Sequence, residues 1–411
     1  MARASLAPGA GQPALDRRRF LAYFSSIGLG GTLFPGVLWA LAQQGREVTR
    51  EMIAQAEAIA GLSFTDEQRE QMLRGLNQNV QSYTRIRQVE LPNAVPPALR
   101  FDPNPPGAPP PAPARAKARA PRPPRVRRPE RLEEVAFWPV THLAELVRTR
   151  QVTSTELTRM YLDRLERYGP KLECVVTLTP ERALEQARRA DEEIARGRYR
   201  GPLHGIPWGA KDLFATRGIR TTWGAKPFEN QVIDEDATVV RRLDEAGAVL
   251  VAKLTLGALA QGDVWFGGQT KNPWKLDQGS SGSSAGSAAA TVAGLVGFAI
   301  GTETLGSIVS PCTRCGASGL RPTFGRVSRY GAMALSWSMD KIGPICRTAE
   351  DCALVFQAIL GPDGKDPTVQ DVPFDWDPGL RLADLRIGYL QSAFEAEHET
   401  KRFDDAVLET L

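Results

Sequence analysis

At 411 residues the chain is long enough for two average domains or one large one, and 42% hydrophobic with 24% charged residues excludes a fibrous or wholly disordered protein. The formal charge of +4 is uneven: residues 1–42 carry +3, residues 115–128 carry +7 and the rest about −6, which excludes a basic nucleic-acid-binding face on the folded part. Three histidines (His142, His204, His398) argue against a His-built metal site, and five cysteines (Cys174, Cys312, Cys315, Cys346, Cys352) exclude a complete disulfide framework.

The N-terminus reads as an export leader. Arg17-Arg18-Arg19-Phe20-Leu21 opens an uncharged apolar stretch from Phe20 to Ala42, and Ala40-Leu41-Ala42 supplies an A-x-A cleavage site before Gln43. Paired arginines followed by Phe-Leu resemble the twin-arginine signal of bacteria, which exports folded proteins. Residues 1–42 are therefore expected to be a signal peptide, and the mature protein to be periplasmic or in the cell envelope. An ordinary signal or an uncleaved anchor is the alternative, although Gly28, Gly30, Gly31, Pro35 and Gly36 make a weak membrane helix.

Residues 43–90 are predicted to be helical. Thr65-Asp66-Glu67-Gln68 is a helix start, and Met72, Leu73 and Leu76 follow at helical spacing. Residues 91–129 are rich in Pro, Ala and Arg, the composition of an extended, disordered linker with polyproline character. A partial globular domain is predicted over 130–411. Leu143, Leu146 and Val147, then Leu157, Tyr161, Leu162 and Leu165, mark amphipathic helices. Gly205 to Phe214 is a short apolar run with a charged end. Thr238 to Glu245 reads as a helix, Ala248 to Leu254 as a buried strand and Leu385 to Leu390 as another strand. Asp404 to Leu411 starts a helix and stops, the pattern of a C-terminally truncated chain. The alternation indicates α/β architecture with a central sheet.

The richest stretch is Gly279 to Pro311, GSSGSSAGSAAATVAGLVGFAIGTETLGSIVSP. Gly/Ser stretches are commonly linkers, but Ala288 to Ile300 is apolar and nearly uncharged, so it should be buried. Two Gly/Ser turns around a buried small-residue segment leave room for hydroxyl nucleophiles and a nest of peptide N–H groups. That is the equipment of acyl transfer. Ser307 is the nucleophile in this reading. The backbone N–H groups of Thr304, Leu305, Gly306 and Ser307 form the oxyanion nest.

A base is also required. Lys211, at the polar end of Gly205-Ile206-Pro207-Trp208-Gly209-Ala210-Lys211-Asp212, serves if its apolar surroundings keep it neutral. An ordinary strand-end lysine is the plain alternative, and His204 is the rival base. Ser283 is the hydroxyl between Lys211 and Ser307. Ser280, Ser281, Ser284 and Ser287 compete for that place, and composition does not choose among them. No metal and no cofactor are expected. Cys312-x-x-Cys315 has no second pair, so the cysteines are expected to be buried thiols.

Gly282-Ser283-Ser284-Ala285-Gly286-Ser287-Ala288-Ala289-Ala290 resembles the glycine/serine motif of the amidase signature family. The resemblance runs on through Gly301 to Pro311, Gly319 to Gly331 and Asp340-Lys341-Ile342-Gly343-Pro344, and covers roughly residues 135–411. It implies a mixed central β-sheet flanked by α-helices. It also implies a Ser-cis-Ser-Lys triad, with the acyl-forming serine at Ser307, the cis-serine at Ser283 after a cis peptide from Gly282, and the base at Lys211. Three positions depart from the family's usual pattern. Leu305 stands where a glycine is common, Val309 where an arginine is common and Ala285 where a glycine is common. Backbone donors survive these changes, and the pocket wall differs.

Within that family the chain resembles the A subunit of aspartyl/glutamyl-tRNA amidotransferase and related amidases, and the subunit's cytosolic task is one that an export leader contradicts. The expected function is therefore an exported amidase that hydrolyses a carbon–nitrogen bond through an acyl-serine intermediate. The amidotransferase component is the second reading, and a catalytically weak, envelope-associated binding protein is the third. Expected partners are a small-molecule or peptide-like amide, a transient membrane or translocon contact through the leader, and a second copy in a homodimer. No nucleic acid is expected.

Overall fold

The computed structural model describes residues 47–90 and 123–411, which belong to two compact units. The expected leader and nearly all of the expected linker lie outside the described residues.

In the first unit, Thr49 caps helix α1 (Arg50–Ala60) and Thr65 caps helix α2 (Asp66–Arg87). Thr65 and Gln68 form a reciprocal capping box, which satisfies two N-terminal N–H groups and fixes the start the sequence predicts. Val48, Ile53 and Val80 are buried together, with Met72, Leu73 and Leu76 packed against them. The Arg69–Glu57 ion pair (2.8 Å) also joins the two helices.

In the second unit, ordered contacts begin ahead of residue 130. Gln151 Nε2 donates to the Val126 carbonyl (3.2 Å), and the Arg128 guanidinium pairs with Glu156 (2.9 Å). The end of the predicted linker is thus fastened to the domain by specific polar contacts. Helices α3 (Val140–Arg148) and α4 (Ser154–Leu172) bury the apolar residues that their spacing singled out. A second capping box, Thr153 with Glu156, starts α4. Strand β1 (Val175–Leu178), helix α5 (Pro180–Ala195), strand β2 (Pro207–Lys211), helix α6 (Thr238–Glu245) and strand β3 (Val249–Leu254) follow. Two ribbons come next, β4 (Val264–Trp265) with β5 (Gly268–Gln269), and β6 (Lys271–Asn272) with β7 (Lys275–Gly279). Then come helix α7 (Ala285–Val292), strand β8 (Phe298–Glu303), helix α8 (Val309–Cys315), strands β9 (Ser318–Gly319) and β10 (Lys341–Cys346), and helix α9 (Ala349–Ile359).

One six-stranded sheet runs in the order β1-β3-β2-β8-β10-β9. β2 is parallel to both β3 and β8, while β1, β10 and β9 pair antiparallel, so the sheet is mixed as expected. Alternation distributes its side chains to two cores. Leu250, Phe298 and Ile300 belong to one, and Val249, Val251 and Ala299 to the other. Trp208 stacks on Phe298 across the β2–β8 pair (centroids 6.1 Å, planes 9° apart). Both faces are thus covered, which leaves the strand ends as the place for polar chemistry.

Leu385 to Leu390 is not a strand. It follows a single 3-10 turn (Leu382–Asp384), is exposed along its length and pairs with no neighbour among the described residues. Its apolar composition is strand-like, but a strand exists only where its N–H and C=O groups find a partner ladder. Beyond it lie α10 (Gln391–Phe394) and α11 (Lys401–Thr410), neither of which buries a residue. Among the described residues no helix is long and apolar enough to cross a membrane.

Candidate active site

Three chain segments meet at one end of the central strands. Lys211 ends β2, Ser283 lies in the turn between β7 and α7, and Ser307 lies in the turn between β8 and α8. The two serine turns are stitched together. The Ser284 N–H donates to the Ser307 carbonyl (3.1 Å), and the hydroxyls of Ser281 and Ser310 are 2.7 Å apart. The Gly282–Ser283 peptide is cis. Gly282 must be glycine on space alone, because a Cβ there would come within 1.9 Å of the Gly262 carbonyl oxygen.

Lys211 is 0% exposed, and its Nζ lies 2.8 Å from Ser283 Oγ, 3.0 Å from Ser284 Oγ and 2.9 Å from Thr302 Oγ1. Burial drives its pKa from 10.5 down to about 7, against the opposing influence of Asp340 and then Glu303. A lysine in this state is substantially neutral near pH 7 and can take up a proton.

The competing serines are separated by what their hydroxyls already do. Ser280 Oγ donates to the Ser281 carbonyl (2.9 Å), and Ser287 Oγ donates to the Ile300 carbonyl (3.1 Å). Ser284 also touches Lys211, but its proton is committed to the Thr302 carbonyl (3.0 Å), while its oxygen accepts from Thr302 N (3.2 Å). Ser283, 1% exposed, has Lys211 as its partner and keeps a hydroxyl proton to give. Ser307 is 8% exposed, and among the described residues no hydrogen bond joins its hydroxyl to Ser283. Such contacts are commonly loose before substrate arrives.

A buried carboxylate stands beside the predicted N–H nest. Glu303, at the end of β8, accepts from the N–H groups of Ile308 (2.8 Å) and Val309 (2.9 Å). Burial pushes its carboxyl up, but Val309, Ile308 and Gly306 N–H groups and Arg321 hold it below its ordinary value. The hydrogen bonds to Glu303 come from Ile308 and Val309, outside the expected nest of Thr304, Leu305, Gly306 and Ser307. The N–H groups of Leu305 and Ser307 have no acceptor among the described residues. Thr304 offers its carbonyl to Lys341 Nζ (2.8 Å) and its hydroxyl to Asp340.

His204, the rival base, is elsewhere. It is buried against Gly247, accepts from Arg200 N (3.1 Å) and faces Glu193 (3.3 Å). Burial first, then Arg200, lowers its pKa to about 4. It has a packing role. All five cysteines are buried and unpaired. Among the described residues no group of three or more His, Cys, Asp or Glu is placed to hold a metal ion.

Several residues of the site were assigned no role by the sequence reading. Thr302 holds Lys211 Nζ together with Ser284, which the sequence leaves as one of several competing serines. Asp263 Oδ2 accepts from Ser281 N (2.9 Å) and so fixes the turn before the cis peptide. Asp340 ties Thr304 to the N–H groups of Leu335 (2.8 Å) and Ser336 (3.0 Å). Asp340 lies in a segment that carried the family resemblance, but only the folded β8–β10 pair shows what its carboxylate holds.

The sequence profile of the amidase family matches residues 156–411. The A subunit of glutamyl-tRNA(Gln) amidotransferase from Methylococcus capsulatus is 45% identical over 62% of this chain and 54% of its own length. Its namesake from Moorella thermoacetica is 42% identical over 65% of this chain and 56% of its own. Among solved structures, the native peptide amidase of Stenotrophomonas maltophilia superposes with a TM-score of 0.55 at 40% identity, covering 59% of this chain and 51% of that one. The chain spans about half the length of the curated relatives it matches.

Proposed function

The chain belongs to the amidase signature family, and from that premise we propose that it is an exported amidase using Ser307, Ser283 and Lys211 to hydrolyse a carboxamide. The observation that carries the reading is the buried Lys211 Nζ, 2.8 Å from Ser283 Oγ, in a turn bonded directly to the Ser307 turn.

In this mechanism the neutral Lys211 amine receives the Ser283 proton as Ser283 receives the Ser307 proton. Ser307 Oγ attacks the amide carbon and a tetrahedral oxyanion forms. The Leu305 and Ser307 N–H groups are the donors available to it. Collapse of this adduct breaks the C–N bond. The leaving nitrogen takes the proton back through Ser283, and an ester remains on Ser307. Water, deprotonated along the same relay, then releases the acid. Ser284 and Thr302 hold the lysine in place through both steps.

Export rests on Arg17-Arg18-Arg19-Phe20-Leu21 and the apolar stretch to Ala42. One observation favours a second reading, the glutamine-hydrolysing A subunit of a tRNA-dependent amidotransferase. The relatives so named are 42–45% identical. Fractionation of cells expressing the full chain separates the two, because the leader requires the protein in the envelope fraction. For the chemistry, a fluorophosphonate probe labels Ser307 in the wild type and not in Ser307→Ala, and the variant releases ammonia from amides at least about a thousandfold more slowly. Labelling that survives the substitution would mean another nucleophile.

A further inference from the structure

A cavity of ≈ 200 Å³ opens beside the site, with Thr302, Met333, Trp337, Asp340 and Ile342 in its wall. Thr302 is also an acceptor for Lys211 Nζ, so the cavity abuts the proposed base. Three of its four charged residues are already engaged. Arg329 pairs with Asp366 (2.9 Å), reaches Thr368 Oγ1 (3.0 Å) and donates to the Trp337 carbonyl. The Asp340 carboxylate is taken by the Thr304 hydroxyl and the N–H groups of Leu335 and Ser336. At the rim, Lys365 Nζ rests 4.0 Å from the centre of the Tyr330 ring.

Apart from the Lys365 ammonium, what remains to meet a substrate is apolar: the Met333 thioether, the Ile342 side chain and the Trp337 indole, which is 81% exposed. Outside the cavity lining, Leu305 (80% exposed) in the Ser307 turn and Val309 (44% exposed) at the start of α8 are further exposed apolar side chains. An indole left in water next to a small cavity gains by covering a flat apolar group. A charged group seated against Arg329, Asp340 and Asp366 would find all three already partnered and would lose its water without replacement, whereas the exposed Lys365 ammonium stays in solvent over the Tyr330 ring.

We propose that this cavity is the subsite for the acyl side of the substrate, that it selects amides with an apolar and preferably aromatic acyl group, and that Trp337 determines that preference. The proposal rests on the amidase reading, but its test is separable. In Ser307→Ala, calorimetric titration compares 3-phenylpropionamide, propionamide and glutamine. The phenyl amide is expected to bind about tenfold tighter than propionamide, the size of a largely buried aromatic contribution. Adding Trp337→Ala brings the ratio of the two affinities toward one, and circular dichroism checks that this exposed substitution leaves the fold intact. In the wild type, the ratio of kcat/KM values follows the same order.

Equal binding of the two simple amides, tighter binding of glutamine, or a ratio unchanged by Trp337→Ala overturns the proposal. Selective binding without hydrolysis of any amide would leave the subsite standing and sink the amidase reading. Hydrolysis without aromatic preference would do the reverse.

Discussion

Lys211 Nζ and Ser283 Oγ are 2.8 Å apart across a gap of more than seventy residues in sequence, and neither side chain reaches bulk solvent. The contact exists because the central strand β2 delivers the lysine to its end while the small-residue turn before α7 delivers the serine. A buried amine in that position has a pKa of about 7, and this fixes the pH behaviour of the proposed reaction. The active form is the unprotonated amine. The value of kcat/KM is expected to rise with a single ionisation near about 7 and to level off above it. Lys211→Arg stays charged at every accessible pH and should lose at least about a thousandfold in kcat/KM. A profile that is flat from about pH 5 to 9 would remove Lys211 as the base.

The same shift has a consequence for stability. The folded-state pKa of Lys211 lies below its ordinary 10.5, so between about 7 and 10.5 the unfolded chain binds more protons than the folded one. Stability contributed at this position therefore rises as pH rises through that window, and the full penalty is present below it. Lys211→Met removes the charge and keeps most of the volume. Its unfolding midpoint in urea, relative to the wild type, is expected to be most favourable below about pH 7 and to lose that advantage toward pH 10. An advantage that grows with pH would contradict the direction of the shift.

Ser283 and Ser284 both touch Lys211, and substitution should separate them. Ser283→Ala removes the hydroxyl free to relay a proton, with an expected loss of about 10²–10⁴ in kcat. Ser284→Ala removes a side chain already bonded to Thr302, so it loosens the lysine without cutting the relay, and about tenfold is expected. The pH profile should shift in Ser284→Ala, since that hydroxyl helps to set the environment of the amine. Equal losses in the two variants would assign the relay to both or to neither.

Much of the site was legible before the fold was known, for identifiable reasons. The serine turns announce themselves because few sequences avoid side chains so consistently, and the apolar run before Lys211 marks a buried strand with a cation at its end. Thr302, Asp263 and Asp340 were not legible as parts of the site. Their roles are contacts between elements far apart in the chain, and nothing local distinguishes them from any Thr or Asp. Leu385 to Leu390 failed for the opposite reason. Its composition is local and strand-like, while the pairing that makes a strand is not local.

Next to Lys211, Asp212 forms a second buried pair with Lys253 (2.9 Å), both 0% exposed. Asp212 also accepts from Thr222 N (2.8 Å) and its hydroxyl (2.5 Å), while Lys253 donates to the Phe214 carbonyl (2.9 Å) and Thr221 Oγ1 (2.8 Å). Neither side chain contacts Ser283 or Ser307, so the pair is architectural. It bridges β3 to the turn after β2 and holds the strand end that presents Lys211. Burial lowers the Lys253 pKa, and Asp212 acts against that. Removing one partner leaves a buried charge unmatched, and Asp212→Asn or Lys253→Met alone should cost about 3–5 kcal/mol. The double variant should cost distinctly less than the two added together, as urea unfolding of all four proteins would show. In Asp212→Asn the lysine loses the group that favours its charge, so its pKa falls further below 10.5. Its unfolded form then binds the extra proton over a wider window, and part of the lost stability should return as pH rises toward about 10. Losses that simply add would show that the two residues act independently.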